Sequence, residues 1–436
     1  MEKMRENAAG IDIGAKKVFV SIENQEVKSF YTFTEDFELL RDYLLKHKVK
    51  TVAMEATGVY WSILYEILVE VGIDVWLVDG RETKQVPGRK TDVKDCQWIQ
   101  QLHSLGLLNR CFVAEGDIKD LRYFVRLRED NIRTSSMHIN HMQKSLTEMN
   151  IRLKEVISQI HGVSGMKIIS AILAGERNKK VLLNMCDTRI KKNKKEEILK
   201  SLNGKYTKTG LFALQQAYNG YYFYQNQIAQ CDKEIEVIMK RIGNNCNDKD
   251  LAGKRKPIRH NKPDVANLGA NLVNVFEGKD ASVISGITDY TWMQILAETG
   301  TDLKKWLTEK HFTSWLGLAP GQHWSGKMRR NKRKKGHPIA GQIFRKIAQS
   351  LIESKNIALG SFGRRIRAKK GPGIAIKAVA RKLAILYWRV MVKGVDYAEE
   401  GIKNYEEKIL AQKRKTIQRL ALDLNMLVSD NQDVMV

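Results

Sequence analysis

The stretch Ala9–Ser21, AGIDIGAKKVFVS, places β-branched and apolar residues on either side of Gly14, as two strands joined by a tight turn would. Outward from it, a third strand is expected near Val27–Phe33, then an amphipathic helix over Asp36–His47 and a strand over Thr51–Met54. A helix around Tyr60–Val71, a strand over Ile73–Val78 and a helix starting near Thr91 follow. Three consecutive strands and then alternating helix and strand describe an α/β domain with a mixed sheet.

That order matches an RNase H-like fold, although order alone also suits other α/β folds. Four carboxylates stand out in it. Asp12 lies inside the first strand, where a charge between Ile11 and Ile13 is costly without a partner. Glu55 ends the strand TVAME and precedes Ala56, Thr57 and Gly58, a small-residue turn at the carboxyl end of the sheet. Asp92 and Asp95, three apart at a helix start, project from one face. Converging, the four make a hard oxygen cage of the kind that holds Mg²⁺ with substrate phosphates, and two ions about 4 Å apart would serve a phosphodiester displacement. Singly, Asp12 also reads as a turn or strand-end residue and Asp92 as an acid favoured by the helix dipole, so spacing alone does not decide. Asp12-Ile13-Gly14 also suits the phosphate-binding hairpin of a sugar-kinase or actin-like ATPase. The sequence has no second Asp-Gly phosphate hairpin, however, and an ATPase has no need of the basic segment described next.

The 436 residues carry 74 Lys+Arg against 49 Asp+Glu, a net charge of +25, so a polyanion is the first partner to consider. With 43% hydrophobic residues the chain can bury an ordinary core, in two or three domains. Disordered, collagen-like and disulfide-scaffold classes are excluded by composition. Cys96, Cys111, Cys186, Cys231 and Cys246 are scattered, which reads as reduced thiols without structural zinc. No apolar run approaches the roughly 18 residues of a membrane span, and MEKMRENAAG lacks a signal-peptide core, so the expected place is the bacterial cytoplasm, at the nucleoid when acting. The charge is uneven. Met1–Glu115 has 15 basic and 18 acidic residues, whereas Gly321–Gly394 has 20 basic residues and one acid, Glu353. Its densest run is Lys327, Arg329, Arg330, Lys332, Arg333, Lys334 and Lys335, followed by Arg364, Arg365, Arg367, Lys369 and Lys370. Like charges at this density favour a bound phosphate backbone over a solvated face.

From Ile118 apolar residues recur in steps of seven through Val125, Ile132, Ile139, Leu146, Leu153 and Ile160. The companion row Leu121, Arg128, Ser135, Met142, Met149, Val156 has a polar middle. Together they predict one long helix with a coiled-coil seam. A second seam runs from Leu214 to Ile242, and the two helices either fold back on one another or meet a second subunit; self-association is favoured, since heptads this long exceed what one domain must cover. Lys254–Pro263, KRKPIRHNKP, reads as a linker or disordered loop. His161–Glu176 resembles Ser285–Gly300, each placing a Gly-rich turn before an apolar helix, where backbone N–H groups can hold a phosphate as readily as they can simply start a helix.

GIDIG, MEATGVYW (Met54–Trp61), PGRKTDVKDCQWI (Pro87–Ile99) and SWLGLAPG (Ser314–Gly321), followed by WSGK (Trp324–Lys327), resemble the bridge-RNA-guided insertion-sequence transposases. The resemblance runs in order from about Gly10 to Gly394. It implies an α/β N-terminal RNase H-like (RuvC-like) domain over 8–115, a coiled-coil region over 116–253, a basic linker over 254–275 and a mainly α-helical serine transposase domain over 276–394. A helical tail over 395–436 lies outside it. The family's DEDD carboxylates fall on Asp12, Glu55, Asp92 and Asp95, its Mg²⁺ ligands, two ions per site with Mn²⁺ as a substitute. Its nucleophilic serine falls on Ser325, and no other serine occurs between Trp315 and Gln349. Taken alone, a Ser-Gly after a Pro-Gly turn is more often just a loop. Two departures are visible: the chain runs directly from WSG into KMRRNKRKK, and Cys96 stands where relatives commonly have Ala.

The resemblance thus implies a DNA recombinase that cuts and rejoins donor and target DNA, guided by a structured RNA and working as a homo-oligomer, dimer or tetramer, without a membrane. Two rivals share some of these features: a metal-dependent nuclease or junction resolvase with no covalent step, and a non-catalytic architectural nucleic-acid protein.

Overall fold

The computed structural model describes residues 3–56, 58–83, 91–244, 246, 255–320, 323–325, 328–330, 338–354, 357–394, 407, 410–411 and 414–424, with the backbone alone at 81–82, 323–325 and 328–330. The chain divides into two compact units, one ending at Val113 and one beginning at Ala114.

In the first unit, β1 (Ala8–Ile13), β2 (Lys17–Ile22) and β3 (Lys28–Tyr31) form an antiparallel meander, and β4 (Thr51–Glu55) and β5 (Asp74–Val78) extend it in parallel on the other side of β1. The order is β3-β2-β1-β4-β5, with Ile11 level with Val20 on β2 and Met54 on β4. This is the mixed sheet expected from the strand order. Because side chains alternate along a strand, each strand feeds two faces. Ile11, Val20 and Met54 join Phe37, Leu40 and Leu44 of α1 (Thr34–Lys46) and Leu64, Tyr65 and Leu68 of α2 (Trp61–Glu70) in one apolar layer. Ala53 and Val78 instead face Ile99 and Leu102 of α4 (Asp92–Ser104), which follows a single turn, α3 (Gly80–Thr83). At Gly10 the backbones of β1 and α4 nearly touch: a Cβ there would sit 2.3 Å from the Gln100 nitrogen and 2.4 Å from the Cys96 carbonyl oxygen. Only glycine lets α4 lie this close to the central strand.

The second unit starts with α5 (Gly116–Glu148) and α10 (Lys208–Ile242), which pack antiparallel, Asp117 against Arg241, Arg128 against Asp232 and Ser135 against Gln225. Of the two arrangements the repeats leave open, the chain takes the fold-back one rather than the favoured self-association at this seam, which is closed within the chain. The companion row is inside throughout, at Leu121, Arg128, Ser135, Met142 and Met149, while the first row is buried at Val125 and Leu146 and half-buried at Ile118, Ile132 and Ile139. The expected single helix through Ile160 ends at Glu148, because Asn150 takes a positive φ of 54° and turns the chain. Leu153, Val156 and Ile160 instead enter a separate small core with α6 (Leu153–Val156), α7 (Val163–Leu173), α8 (Lys179–Asn184) and α9 (Thr188–Ser201).

The stretch expected to be a linker also differs. Arg255 donates to Asp280 Oδ2 (2.6 Å), Ser282 Oγ (2.9 Å) and Asp289 Oδ2 (3.2 Å), and the Lys256 ammonium donates to the Ser282 and Ile284 carbonyls. Two cations with mostly half-buried partners anchor this segment, and Ile258 and Val265 pack against the main core; Lys254 lies outside the described residues. That core gathers α11 (Leu268–Val275), α12 (Asp289–Thr299), α13 (Glu309–Trp315), α14 (Ile339–Glu353), α15 (Ala358–Lys370) and α16 (Pro372–Lys393) around Trp292, Phe312, Phe344 and Tyr387. A short hairpin, β6 (His323–Ser325) and β7 (Met328–Arg330), lies between α13 and α14. Of the tail, residues 414–423 are helical.

No helix among the described residues is long and apolar enough to cross a membrane.

Candidate active site

Asp12 and Glu55 stand at the carboxyl ends of neighbouring parallel strands. The register pairs Gly10 with Ala53 and Ile11 with Met54, so the next residues along, Asp12 and Glu55, share the face that Gly10 and Ala53 turn toward α4. Asp92 and Asp95 occupy the first turn of α4, which Thr91 caps by accepting from the Lys94 N–H (3.3 Å). Acids here sit where the helix dipole is positive.

Cys96 shows how closely Asp12 and Asp95 approach. Its thiol is fully buried, and its pKa is pushed up to about 12, first by burial and then by the negative charges of Asp12 and Asp95. One sulfur thus feels both carboxylates, and it stays protonated, donating to the Val93 carbonyl (3.1 Å). Glu55 is buried, 9% exposed, and its Oε2 accepts from the Thr83 hydroxyl (3.0 Å). Asp92 is exposed and Asp95 half-buried. Among the described residues, no three His, Cys, Asp or Glu side chains gather tightly enough to hold a metal ion. The chemistry of the donor set nonetheless fits a hard divalent cation: Asp12 and Glu55 lie toward the ends of neighbouring strands, Asp92 and Asp95 open α4, and the Cys96 thiol beside Asp95 is held in its neutral form.

In the second unit, Ser325 is the last residue of β6 and pairs with Met328, the first of β7; Trp324 pairs with Arg329 and His323 with Arg330. The flanks of this excursion are tied together. A Cβ at Gly317 would lie 3.3 Å from Pro338, and one at Gly341 would lie 2.1 Å from the Leu316 carbonyl oxygen, so α14 begins hard against the end of α13. Lys327, Lys332, Arg333, Lys334 and Lys335 lie outside the described residues, and Arg329 and Arg330 are described by backbone alone.

The remaining basic residues divide into two kinds. Arg364 donates to the Ile352 (2.8 Å) and Ser354 carbonyls and to Ser361 Oγ (3.2 Å), satisfying the open C-terminal end of α14. Arg367 pairs with Glu353 at the surface. Arg365, Lys369 and Lys370 are exposed, the lysines in the last turn of α15. Of the two repeated turns, that before α12 is filled from within: Thr288 and Thr291 satisfy one another's backbone N–H groups, and Asp289 is held by Arg255.

Thr83, Gly80 and Lys305 carry no sequence signal, and the Arg128 network shows in the sequence only as the polar middle of the companion row. Lys305 is exposed as a residue, but its ammonium donates to the Thr299 carbonyl, and the water lost there pushes its pKa down to about 7. Nothing in the polar segment DGRET (79–83) marks Thr83 or Gly80; only their place beside Glu55 does.

Two family models match the chain. One, a transposase model for the DEDD domain of IS110 elements, covers residues 9–151 and includes all four carboxylates. The other, described as transposase IS116/IS110/IS902 family, covers residues 281–362 and includes α12, the β6–β7 hairpin and α14. No curated protein matches the chain. With a mixed α/β domain leading into a largely helical one, and both models found in that order, the chain belongs to the IS110 family of transposases, enzymes that cut and rejoin DNA, and opens with its DEDD domain.

Proposed function

We propose that Asp12, Glu55, Asp92 and Asp95 hold Mg²⁺ and that Ser325 is the nucleophile of an RNA-guided strand exchange. What supports this reading is that Asp12 and Glu55 lie toward the ends of neighbouring strands on the α4 face and that Asp92 and Asp95 open α4, within the region matched as a DEDD domain. Bound there, divalent ions would offset the charge that builds on the phosphate oxygens. The chain's own groups do the rest. The Ser325 hydroxyl attacks phosphorus and gives up its proton; the P–O3′ bond breaks, and the departing 3′ oxygen takes a proton. The strand is left as a 3′-hydroxyl and a 5′-phosphoserine linkage. One phosphodiester replaces another, so no external energy source is needed, and a 3′-hydroxyl of the partner strand reverses the step to rejoin. Arg365, Lys369 and Lys370, with the basic run after Ser325, hold the backbone.

The excess of cations around Ser325 supports nucleic acid as the partner, and the resemblance supports a structured guide RNA beside donor and target DNA. A homo-oligomer, dimer or tetramer, would form through the outer face of the α5–α10 hairpin, where Tyr123, Met137, Phe212, Tyr222 and Phe223 are exposed. The test is a denaturing gel of the chain with donor DNA and Mg²⁺. A protein–DNA adduct is expected, absent in Ser325→Ala and in Asp12→Asn. Undiminished strand exchange by Ser325→Ala would instead establish a metal-dependent nuclease without a covalent step. Sequencing of copurifying RNA tests the guide: a structured species encoded beside the gene is expected.

A further inference from the structure

We infer that Thr83 and Gly80 are positioning residues that fix the Glu55 carboxylate for metal binding, an inference that rests on reading Glu55 as a ligand. Glu55 is 9% exposed, and a carboxylate that deep requires donors. Thr83, itself buried, supplies one: its Oγ1 lies 3.0 Å from Glu55 Oε2. The same hydroxyl lies 3.1 Å from the Gly80 carbonyl, and its single proton goes to the stronger, charged acceptor.

Gly80 shapes the other side. A Cβ built on it would fall 2.1 Å from Glu55 Oε1 and 2.5 Å from Cδ, so the carboxylate occupies the space any other residue at 80 would fill. α3 is in turn tied to α4, because Trp98 Nε1 donates to the Thr83 carbonyl (3.1 Å). A chain of contacts therefore runs from Glu55 on β4 through Thr83 to the helix that bears Asp92 and Asp95. The chemistry of the donor matters as much as its place. A hydroxyl orients the carboxylate without neutralising it, whereas a Lys or Arg at 83 would compete with the ion for the same charge. Groups that orient a ligand in this way typically change metal affinity by about 10–100-fold when removed.

The experiment titrates the full-length chain with Mn²⁺ alone, reading free ion by electron paramagnetic resonance, for Thr83→Val, Thr83→Ser, Gly80→Ala and Glu55→Gln, with melting curves taken without metal. Thr83→Val and Gly80→Ala are expected to weaken Mn²⁺ binding by about 10–100-fold, while Thr83→Ser stays close to the parent. A merely structural role would lower the metal-free melting point and leave the affinity unchanged, and that result overturns the inference. If Glu55→Gln loses affinity while Thr83→Val and Gly80→Ala retain it, Glu55 is a ligand and the positioning role is wrong. If Glu55→Gln binds Mn²⁺ like the parent, the ligand reading itself falls. Should Thr83→Val fail to fold, Gly80→Ala and Thr83→Ser decide the matter by the same readout.

Discussion

Replacing Arg128 with leucine should cost more than any surface change in the chain, and the structure says by how much. Arg128 is 1% exposed in the middle of the α5–α10 seam. Its guanidinium donates to Asp232 at 2.6 and 3.3 Å, to the Tyr290 hydroxyl at 2.8 Å and to the Asn261 carbonyl at 3.2 Å. Burial works against its charge, and the bonds to Asp232 more than offset that. Arg128→Leu leaves Asp232, 4% exposed, with the backbone N–H of Asp264 (3.2 Å) in place of a cation. Breaking a buried pair from one side costs about 3–5 kcal/mol. Against a total stability of roughly 5–15 kcal/mol this is a large fraction, and it corresponds to a fall in Tm of about 6 °C or more. Removing both charges in Arg128→Leu/Asp232→Leu should restore most of the loss, because no orphaned ion remains. Urea unfolding of the full chain followed by circular dichroism, for parent, both single variants and the double, completes the cycle. A loss below about 1 kcal/mol in Arg128→Leu, or a double variant equal to the sum of the singles, would refute the pairing as the cause.

The first unit should be acid-sensitive through His103, which is fully buried against Thr51 Oγ1 (2.8 Å) and whose pKa burial pushes down from 6.5 to about 4. Between those values the unfolded chain binds a proton that the folded chain refuses, so stability falls as pH drops from 6.5 toward 4, by up to about 3 kcal/mol; His103→Gln should flatten the urea midpoint across that range, and parallel curves would exclude the mechanism. Gly10→Ala must push α4 off β1, because the atoms in the way are backbone. A loss of about 1–3 kcal/mol in thermal melts and a loss of DNA cutting are expected, and an unchanged melt would contradict the described contact. Arg364→Met should destabilise by about 1–3 kcal/mol through the α14 carbonyls it leaves unpaired. Lys369→Gln/Lys370→Gln should leave the melt alone and flatten the salt dependence of DNA binding by about 0.9 in log–log slope for each phosphate no longer neutralised, as a filter-binding titration would read.

The first domain was legible because its signals are local. Alternation around Gly14, the acid inside a strand, and Thr91 before Asp92 each name an element and a face, and the strands and helices fall where those signals place them. That Asp12 and Glu55 lie toward the ends of neighbouring strands and that Asp92 and Asp95 open a helix was legible for the same reason, since strand end and helix start are one-dimensional properties. The helical unit was read less well, because heptad periodicity does not say where a helix stops or what covers its seam. Asn150, a single residue able to take positive φ, ended a repeat that apolar spacing carried on to Ile160. At 255–263 the chain has no helix or strand, as its basic and proline-rich sequence suggested, but it is anchored, which the sequence did not show because the deciding acids, Asp280 and Asp289, are distant in it. Thr83 and Gly80 gave no signal at all, since a hydroxyl and a missing side chain acquire meaning only beside Glu55.

The division of charge also bears on how a target is chosen. The first unit presents acids at the sheet end, which repel a phosphate backbone until cations intervene, and the cations are concentrated after Gly321. Exposed Lys369 and Lys370 in the last turn of α15 suit phosphate contacts, which fix register on a strand but carry no base information. The α12 helix start, whose N–H groups would otherwise be open to a phosphate, is closed by Thr288, Thr291 and Arg255. Among the described residues, then, the basic groups are of the kind that grips any strand. Were the proposed guide RNA bound, base pairing would supply the sequence reading that such phosphate contacts do not.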